Sequence, residues 1–373
     1  MTFFSILGRP DPTPWLLGAG EPAARWVALR RLSGLPEDAP EVIAAHDAVI
    51  DDPGTQALLA LIPDWEADNG LTGHDKPLLA TNLLDLLGEM GVRPNDDRRI
   101  GRLFDQLTEH SDEDGRFQML AAEQGADPPR WAALLCDTHA IADVLLRFGR
   151  GADPRVKRAL ETAVSDLVET EQGLAWPCRP ASGSRWRGPG RVRDCCPQTT
   201  LEALHAFSWL PSPERPRQLT EVARTVLAVW RSRAGQKPYM FGHGRQFKQV
   251  KWPPTWYGAY EVVETLGRLP EVWDGPDAPP EARVSLAEIA ACLLAYNVAP
   301  DATVTPLSTF KGFEDHSFGQ KKEPSPLATA LVWAALKRLE PLTEQIAAID
   351  VTALGSSKGG SGTPLPSRVR SDA

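Results

Sequence analysis

Residues 170–176 read Thr-Glu-Gln-Gly-Leu-Ala-Trp, and the reading of this stretch decides the fold. An acid and an amide open it, a glycine supplies a C-cap or tight turn, and an aromatic three residues on can pack back against the flanking helices. Related stretches occur at 64–70 (Asp-Trp-Glu-Ala-Asp-Asn-Gly) and 111–117 (Ser-Asp-Glu-Asp-Gly-Arg-Phe). Gly70, Gly115 and Gly173 are spaced 45 and 58 residues apart, about one helix pair each. Acidic glycine turns are common enough that three can also recur by chance.

Outward from these turns the sequence is helical. Residues 77–90 place Leu78, Leu79, Leu83, Leu86, Leu87 and Met90 on one broad face, as an amphipathic helix requires. Residues 129–148, 156–167, 197–210, 219–230, 255–266, 285–297 and 326–339 show similar patterns. Period-two alternation with hairpin turns is nearly absent. The expectation is an all-α chain: an N-terminal arm over 1–19, one helical domain over 20–350, and a low-complexity tail over 351–373 without fixed structure.

The 373 residues carry a formal charge of -9, with 12 tryptophans, 34 prolines and five cysteines. The acidic balance argues against nucleic acid as a partner. No stretch is long and apolar enough to span a membrane. The N-terminus has only a short apolar run and no basic lead. Five cysteines do not make a disulfide framework in a chain of this length. The expectation is therefore a cytoplasmic protein with reduced thiols.

Helix pairs joined by turns such as Glu171–Trp176 resemble the glutamine–tryptophan turns of squalene–hopene cyclases and the glycine–aromatic turns of protein prenyltransferase β subunits. Residues 238–242, Trp256-Tyr257 and residues 318–325 are similar to segments of uncharacterised bacterial proteins of that superfamily. The resemblance spans roughly residues 20–345. It implies an α/α toroid, inner and outer helices around a central cavity, and a small, largely apolar, isoprenoid-like substrate. The Asp-x-Asp-Asp acid of the cyclases has no counterpart: Asp112-Glu113-Asp114 runs into Gly115, and Asp51-Asp52 into Pro53. Nor does Asp96-Asp97-Arg98-Arg99 complete an Asp-Asp-x-x-Asp magnesium motif.

Zinc is the other chemistry of such toroids. Prenyltransferases hold it with Asp-x-Cys and a distant His, lanthipeptide cyclases with two Cys and a His. Asp194-Cys195-Cys196-Pro197 contains Asp-x-Cys at a helix start, with Cys196 at the N-cap and Pro197 at the first helical position. A helix N-terminus favours thiolate. Cys178 follows the Gln172–Trp176 turn, and Cys136 and His139 share a helix face opposite Trp131 and Leu134. The metal hypothesis is Zn²⁺ on Cys136, Cys178 and Cys196, with Asp137, His139 or Asp194 as fourth ligand or acid–base group. Buried structural thiols and a metal-free reactive thiol are the alternatives. Sulfurs about 3.5–4 Å apart would suit tetrahedral zinc. Substrate contacts are expected from Trp186, in a basic glycine-rich loop, and from Tyr239, Lys251, Trp256 and Tyr257. A metal-free cyclase using carboxylates and aromatic walls, and a non-catalytic binding toroid, are the competing functions.

Overall fold

The structure, a computed structural model, describes residues 2–65, 76–121, 130–178, 191, 193–354 and 365. The chain is predominantly helical. Proline now has a visible job, because the helices Pro22–Val27, Pro40–Asp51, Pro53–Ala60, Pro154–Ser165, Pro197–Ser208, Pro280–Asn297 and Pro326–Lys337 all open on it. The ring fixes φ where the missing N–H would have no helical acceptor anyway. Side chains finish several of these ends: Asp52, Asp153 and Ser325 accept the backbone N–H of Thr55, Arg155 and Ala328.

The helices are of two kinds. Leu135–Arg147, Pro197–Ser208 and Pro326–Lys337 are buried on nearly every face. Pro154–Ser165 buries Val156, Ala159, Leu160 and Ala163 on one stripe and turns Arg155 and Lys157 to solvent. A helix apolar all round needs neighbours all round, and a striped one covers it from outside. Leu135–Arg147 packs on Ala80–Glu89 and Pro197–Ser208; the latter packs on Ala259–Gly267, which packs on Pro326–Lys337 and through it reaches Pro22–Val27. From there contacts run through Pro40–Asp51 and Pro53–Ala60 back to Ala80–Glu89. The succession of neighbours thus returns to its start.

Three short two-stranded pieces decorate the helices: Met119–Ala121 with Arg130–Ala132 and Val168–Thr170 with Gly173–Ala175, both antiparallel, and Lys251–Trp252 with Ser308–Thr309, parallel. The Gln172–Trp176 turn is therefore the end of a hairpin. Gly173 has φ +127°, and a Cβ there would meet Thr225 Oγ1 at 2.5 Å, so both backbone and space demand glycine. Trp176 is buried and its indole N–H donates to the Ala163 carbonyl at 2.7 Å. Trp273 and Trp333 do likewise to Leu266 and Ala302. Three of the twelve tryptophans thus tie neighbouring segments together through the indole N–H.

The N-terminal arm is packed. Phe3 and Phe4 are buried, with ring centroids 6.1 and 5.1 Å from Trp333. Residues 355–364 and 366–373 of the expected tail, and Trp186, lie outside the described residues. No helix among the described residues is long and apolar enough to cross a membrane.

Candidate functional site

Four helices meet around a cavity of about 120 Å³. Each presents residues three or four apart, which share a helix face: Thr81, Asp85 and Glu89; Ala140, Asp143 and Val144; Gln198, Glu202 and His205; Tyr260, Glu261 and Glu264. Six carboxyl groups line the space, and neither lysine nor arginine does.

Three of the six belong to an ion-pair lattice. Arg147 reaches Asp85 and Glu89, each at 2.5 Å, and Arg31 also binds Glu89. Glu264 accepts from Arg268 at 2.7 Å and Arg338 at 3.1 Å. The Arg147 and Arg268 guanidiniums lie 5.1 and 4.1 Å over the Trp209 ring. Burial opposes ionisation of Glu89 and Glu264, but the arginines outweigh it, holding Glu89 well below the usual carboxylate range and Glu264 at about 2. Burial raises Asp85, and Arg147 offsets part of this.

The other carboxyls sit differently. Burial pushes Glu202 well above its ordinary value, with Gln198 offering a single offsetting hydrogen bond at 2.9 Å and Asp137 and Asp143 adding repulsion. Burial likewise lifts Glu261 to about 8, partly offset by backbone N–H groups at its own residue and Trp256. Glu261 is thus a neutral acid at pH 7, able to donate a proton, and Glu202 is shifted in the same direction.

Asp143 and His205 form a dyad. The imidazole Nδ1 lies 2.9 and 3.0 Å from the two Asp143 oxygens, and the Trp209 indole donates to Oδ1 at 2.9 Å. An Nδ1–H donating to the carboxylate leaves Nε2 with the lone pair. His205 Nε2 is buried and has no hydrogen-bond partner among the described residues, and the same holds for Thr81 Oγ1, Glu202 Oε2 and Thr255 Oγ1, all on residues lining this cavity. Oxygen or nitrogen atoms of Asp85, Asp143 and His205 also lie within 4.8 Å of one another, the one such trio of possible metal donors among the described residues. Arg147 already neutralises Asp85, so this corner holds a cation without further help.

The expected thiol cluster lies near the N-terminal ends of the same helices. Cys178 and Cys196 share a side-chain hydrogen bond, and the Cys136 thiol feels Cys178, Glu202 and Asp137, whose Oδ1 is 3.9 Å from its sulfur. The three sulfurs are not all within 4.8 Å of one another. Cys196 does cap Pro197–Ser208. Its thiol is nevertheless pushed well up, by the Cys178 hydrogen bond and by burial, against the pull of the helix end. Burial likewise raises Cys136 well up and Cys195 to about 12. These are thiols, not thiolates, as they stand. Cys292 is core.

His139 does not line the cavity. Its Nδ1 lies 3.2 Å from the Thr199 carbonyl and its ring meets Trp176 edge-on at 5.2 Å. Burial lowers it to about 4, so it is neutral. Asp137 is fully buried in the first turn of Leu135–Arg147. Asp194 is a loop tie: its oxygens accept from the Tyr239 backbone at 3.0 Å and from Gln172 at 3.5 Å.

Of the expected substrate contacts, Lys251, Trp256 and Tyr257 come together in a second pocket of about 610 Å³. There Lys251 Nζ lies 3.6 Å over the Phe310 ring, Trp256 stacks on Phe241 at 5.7 Å, and the Tyr257 hydroxyl is 2.9 Å from His243 Nε2. Tyr239 is exposed beside Arg191 and does not line it. The two pockets share Thr255, Tyr260 and Glu261 as a common wall. Asp85, Glu202, His205 and Glu261 escaped the sequence reading because each lies on a helix that reads as an ordinary packing segment. The available signal was Glu202 with His205, at i and i+3 and the only ionisable side chains of Pro197–Ser208. No family model, no curated protein and no solved structure matches the chain.

Proposed function

We propose that the chain is an α/α-toroid enzyme whose inner cavity carries out proton transfer on a small substrate. The closed succession of helix neighbours and the resemblance of the Gln172–Trp176 turn to those of squalene–hopene cyclases support the toroid. The observation that carries the chemistry is the Asp143–His205 dyad, with Nε2 unpartnered on the cavity wall. His205 is the base, Asp143 fixes its tautomer, and Glu261, held protonated by burial, is the acid. An apolar part of the substrate would lie against Lys251, Trp256, Tyr257 and Phe310 in the adjoining pocket. This is the carboxylate-and-aromatic chemistry of a metal-free cyclase or isomerase. The test is turnover of a panel of small amines, alcohols and isoprenoids in D₂O, read by mass spectrometry. Wild type is expected to place solvent deuterium on carbon, and His205→Ala to lose at least about 100-fold of that rate. Full deuterium transfer by His205→Ala would overturn the reading.

A zinc centre on Cys136, Cys178 and Cys196 is the second reading, favoured by the Cys178–Cys196 hydrogen bond. Zinc would deprotonate the thiols it bound and activate a nucleophile there. One equivalent of zinc in purified protein, lost in Cys178→Ser, is its expected signature; zinc-free protein of full activity rules it out.

A further inference from the structure

Charge around the inner cavity is unevenly matched. Glu89 faces three arginines, Glu264 two and Asp85 one. Among the described residues Asp143 pairs only with His205, and Glu202 and Glu261 are in no ion pair with a lysine or arginine. All three carboxyls face the same space. Such an arrangement is short of positive charge, which leaves burial to press Glu202 and Glu261 toward their protonated forms.

A second observation points to a ligand. Thr81 is 2% exposed and its hydroxyl has no partner. Glu202 Oε2, His205 Nε2 and Thr255 Oγ1 share that condition on the same cavity. A buried polar atom without a partner carries the cost of its lost hydration, and four around one space are matched most simply by one molecule that reaches several of them. They come from the Ala80–Glu89 helix, the Pro197–Ser208 helix and the loop before Ala259, so that molecule spans the cavity. A bare metal ion at Asp85, Asp143 and His205 would leave Thr255 unanswered. The cavity, about 120 Å³, is several times the ~10–15 Å³ needed for one water.

We propose that the inner cavity binds a small organic cation, a protonated amine whose N–H groups are taken by Glu202 and Asp143 and by the hydroxyls of Thr81 and Thr255. The proposal rests on the reading of this cavity as the reacting site and names the charge its substrate carries there. Burial holds the Glu202 carboxyl above its ordinary value, with Asp137, Asp143 and Cys178 adding to the shift; an arriving ammonium would pull it back down, so binding would release a proton at any pH where the free carboxyl is protonated.

Titration calorimetry tests this with n-butylammonium, 1-butanol as its neutral counterpart, and Mg²⁺ and Zn²⁺ separately, in two buffers of different ionisation enthalpy. Expected are binding of n-butylammonium at least tenfold tighter than 1-butanol and a buffer-dependent heat reporting proton release. Glu202→Gln, checked for an unchanged melting curve, is expected to weaken binding at least tenfold and abolish the proton release. Equal binding of 1-butanol overturns the proposal. So does binding of a dication, lost in Asp85→Asn, without binding of the amine. If the amine fails to bind while His205→Ala still abolishes deuterium transfer, the cation proposal falls and the acid–base reading stands. If the amine binds and His205→Ala changes nothing, the reverse holds.

Discussion

Asp143 grips the His205 imidazole from a neighbouring helix, 2.9 Å from Nδ1, while the Trp209 indole holds the same carboxylate. The ring is therefore fixed in orientation and tautomer before any substrate arrives. Asp143→Asn keeps the shape but offers an N–H where a carboxylate oxygen was, and so turns the imidazole to its other tautomer. The expected result is a fall of about 10²–10⁴ in the rate of proton transfer, with an unchanged circular dichroism spectrum. A variant within threefold of wild type would remove Asp143 from the mechanism.

Glu261 gives the pH dependence of stability a definite sign. Unfolded, its carboxyl has the ordinary value of 4.5; folded, burial raises it to about 8. Below 4.5 both states hold the proton and above 8 neither does, while between them only the folded state does. Stability due to this group is therefore lost as pH rises from about 4.5 to about 8, by on the order of a few kcal/mol in all. Glu261→Gln cannot ionise. Its melting temperature relative to wild type should climb across that window and level off above it, and a flat difference from pH 4 to pH 9 would show that Glu261 is not held protonated.

Arg147 lies behind the cavity wall, shared by Asp85 and Glu89 and laid over Trp209. Arg147→Met strips a buried carboxylate of its partner. Urea denaturation should show a loss of about 3–5 kcal/mol. Adding Asp85→Asn should restore part of it, because one of the stranded charges is then gone. A loss under about 1 kcal/mol, the scale of an exposed pair, would mean the lattice is open to water.

At Gly173 two costs are separable. Gly173→Ala imposes a side chain on a positive φ and drives it into Thr225, with an expected loss of about 1–3 kcal/mol. Combining it with Thr225→Ala relieves the collision and leaves the backbone cost. The double variant should melt between wild type and the single variant; a double variant no better than the single one would place the whole cost in the backbone.

That turn was also the most legible part of the sequence. Gln172 bonds the Cys195 backbone at 2.8 Å, Gly173 makes the bend, and Trp176 enters the core. These are local interactions between residues close in sequence or placed by one turn. The cavity was less legible because its members come from four separate helices, and nothing in one helix reveals which face another will meet. His139 illustrates the margin. At about 100° per residue it stands some 60° off the line of Cys136, Ala140, Asp143 and Arg147, enough to lodge it between helices at Thr199. The lowered thiol pKa expected for Cys196 failed for a related reason: a helix end acts on one residue, but burial is decided by the whole fold.

Phe3 and Phe4 rest on Trp333, and the Glu21 carboxylate accepts from the backbone of Leu327 at 3.0 Å and from Ser317 at 2.8 Å. Such contacts join stretches some three hundred positions apart, so during synthesis the earlier stretch must wait for the later one. Until about residue 340 has left the ribosome, Pro22–Val27 can pack on Pro40–Asp51 but has no Pro326–Lys337 helix to meet, and part of its buried face, with Ala24, Trp26 and Val27, stays uncovered. For this chain, chaperone demand and aggregation in the cell should be set by that interval of translation.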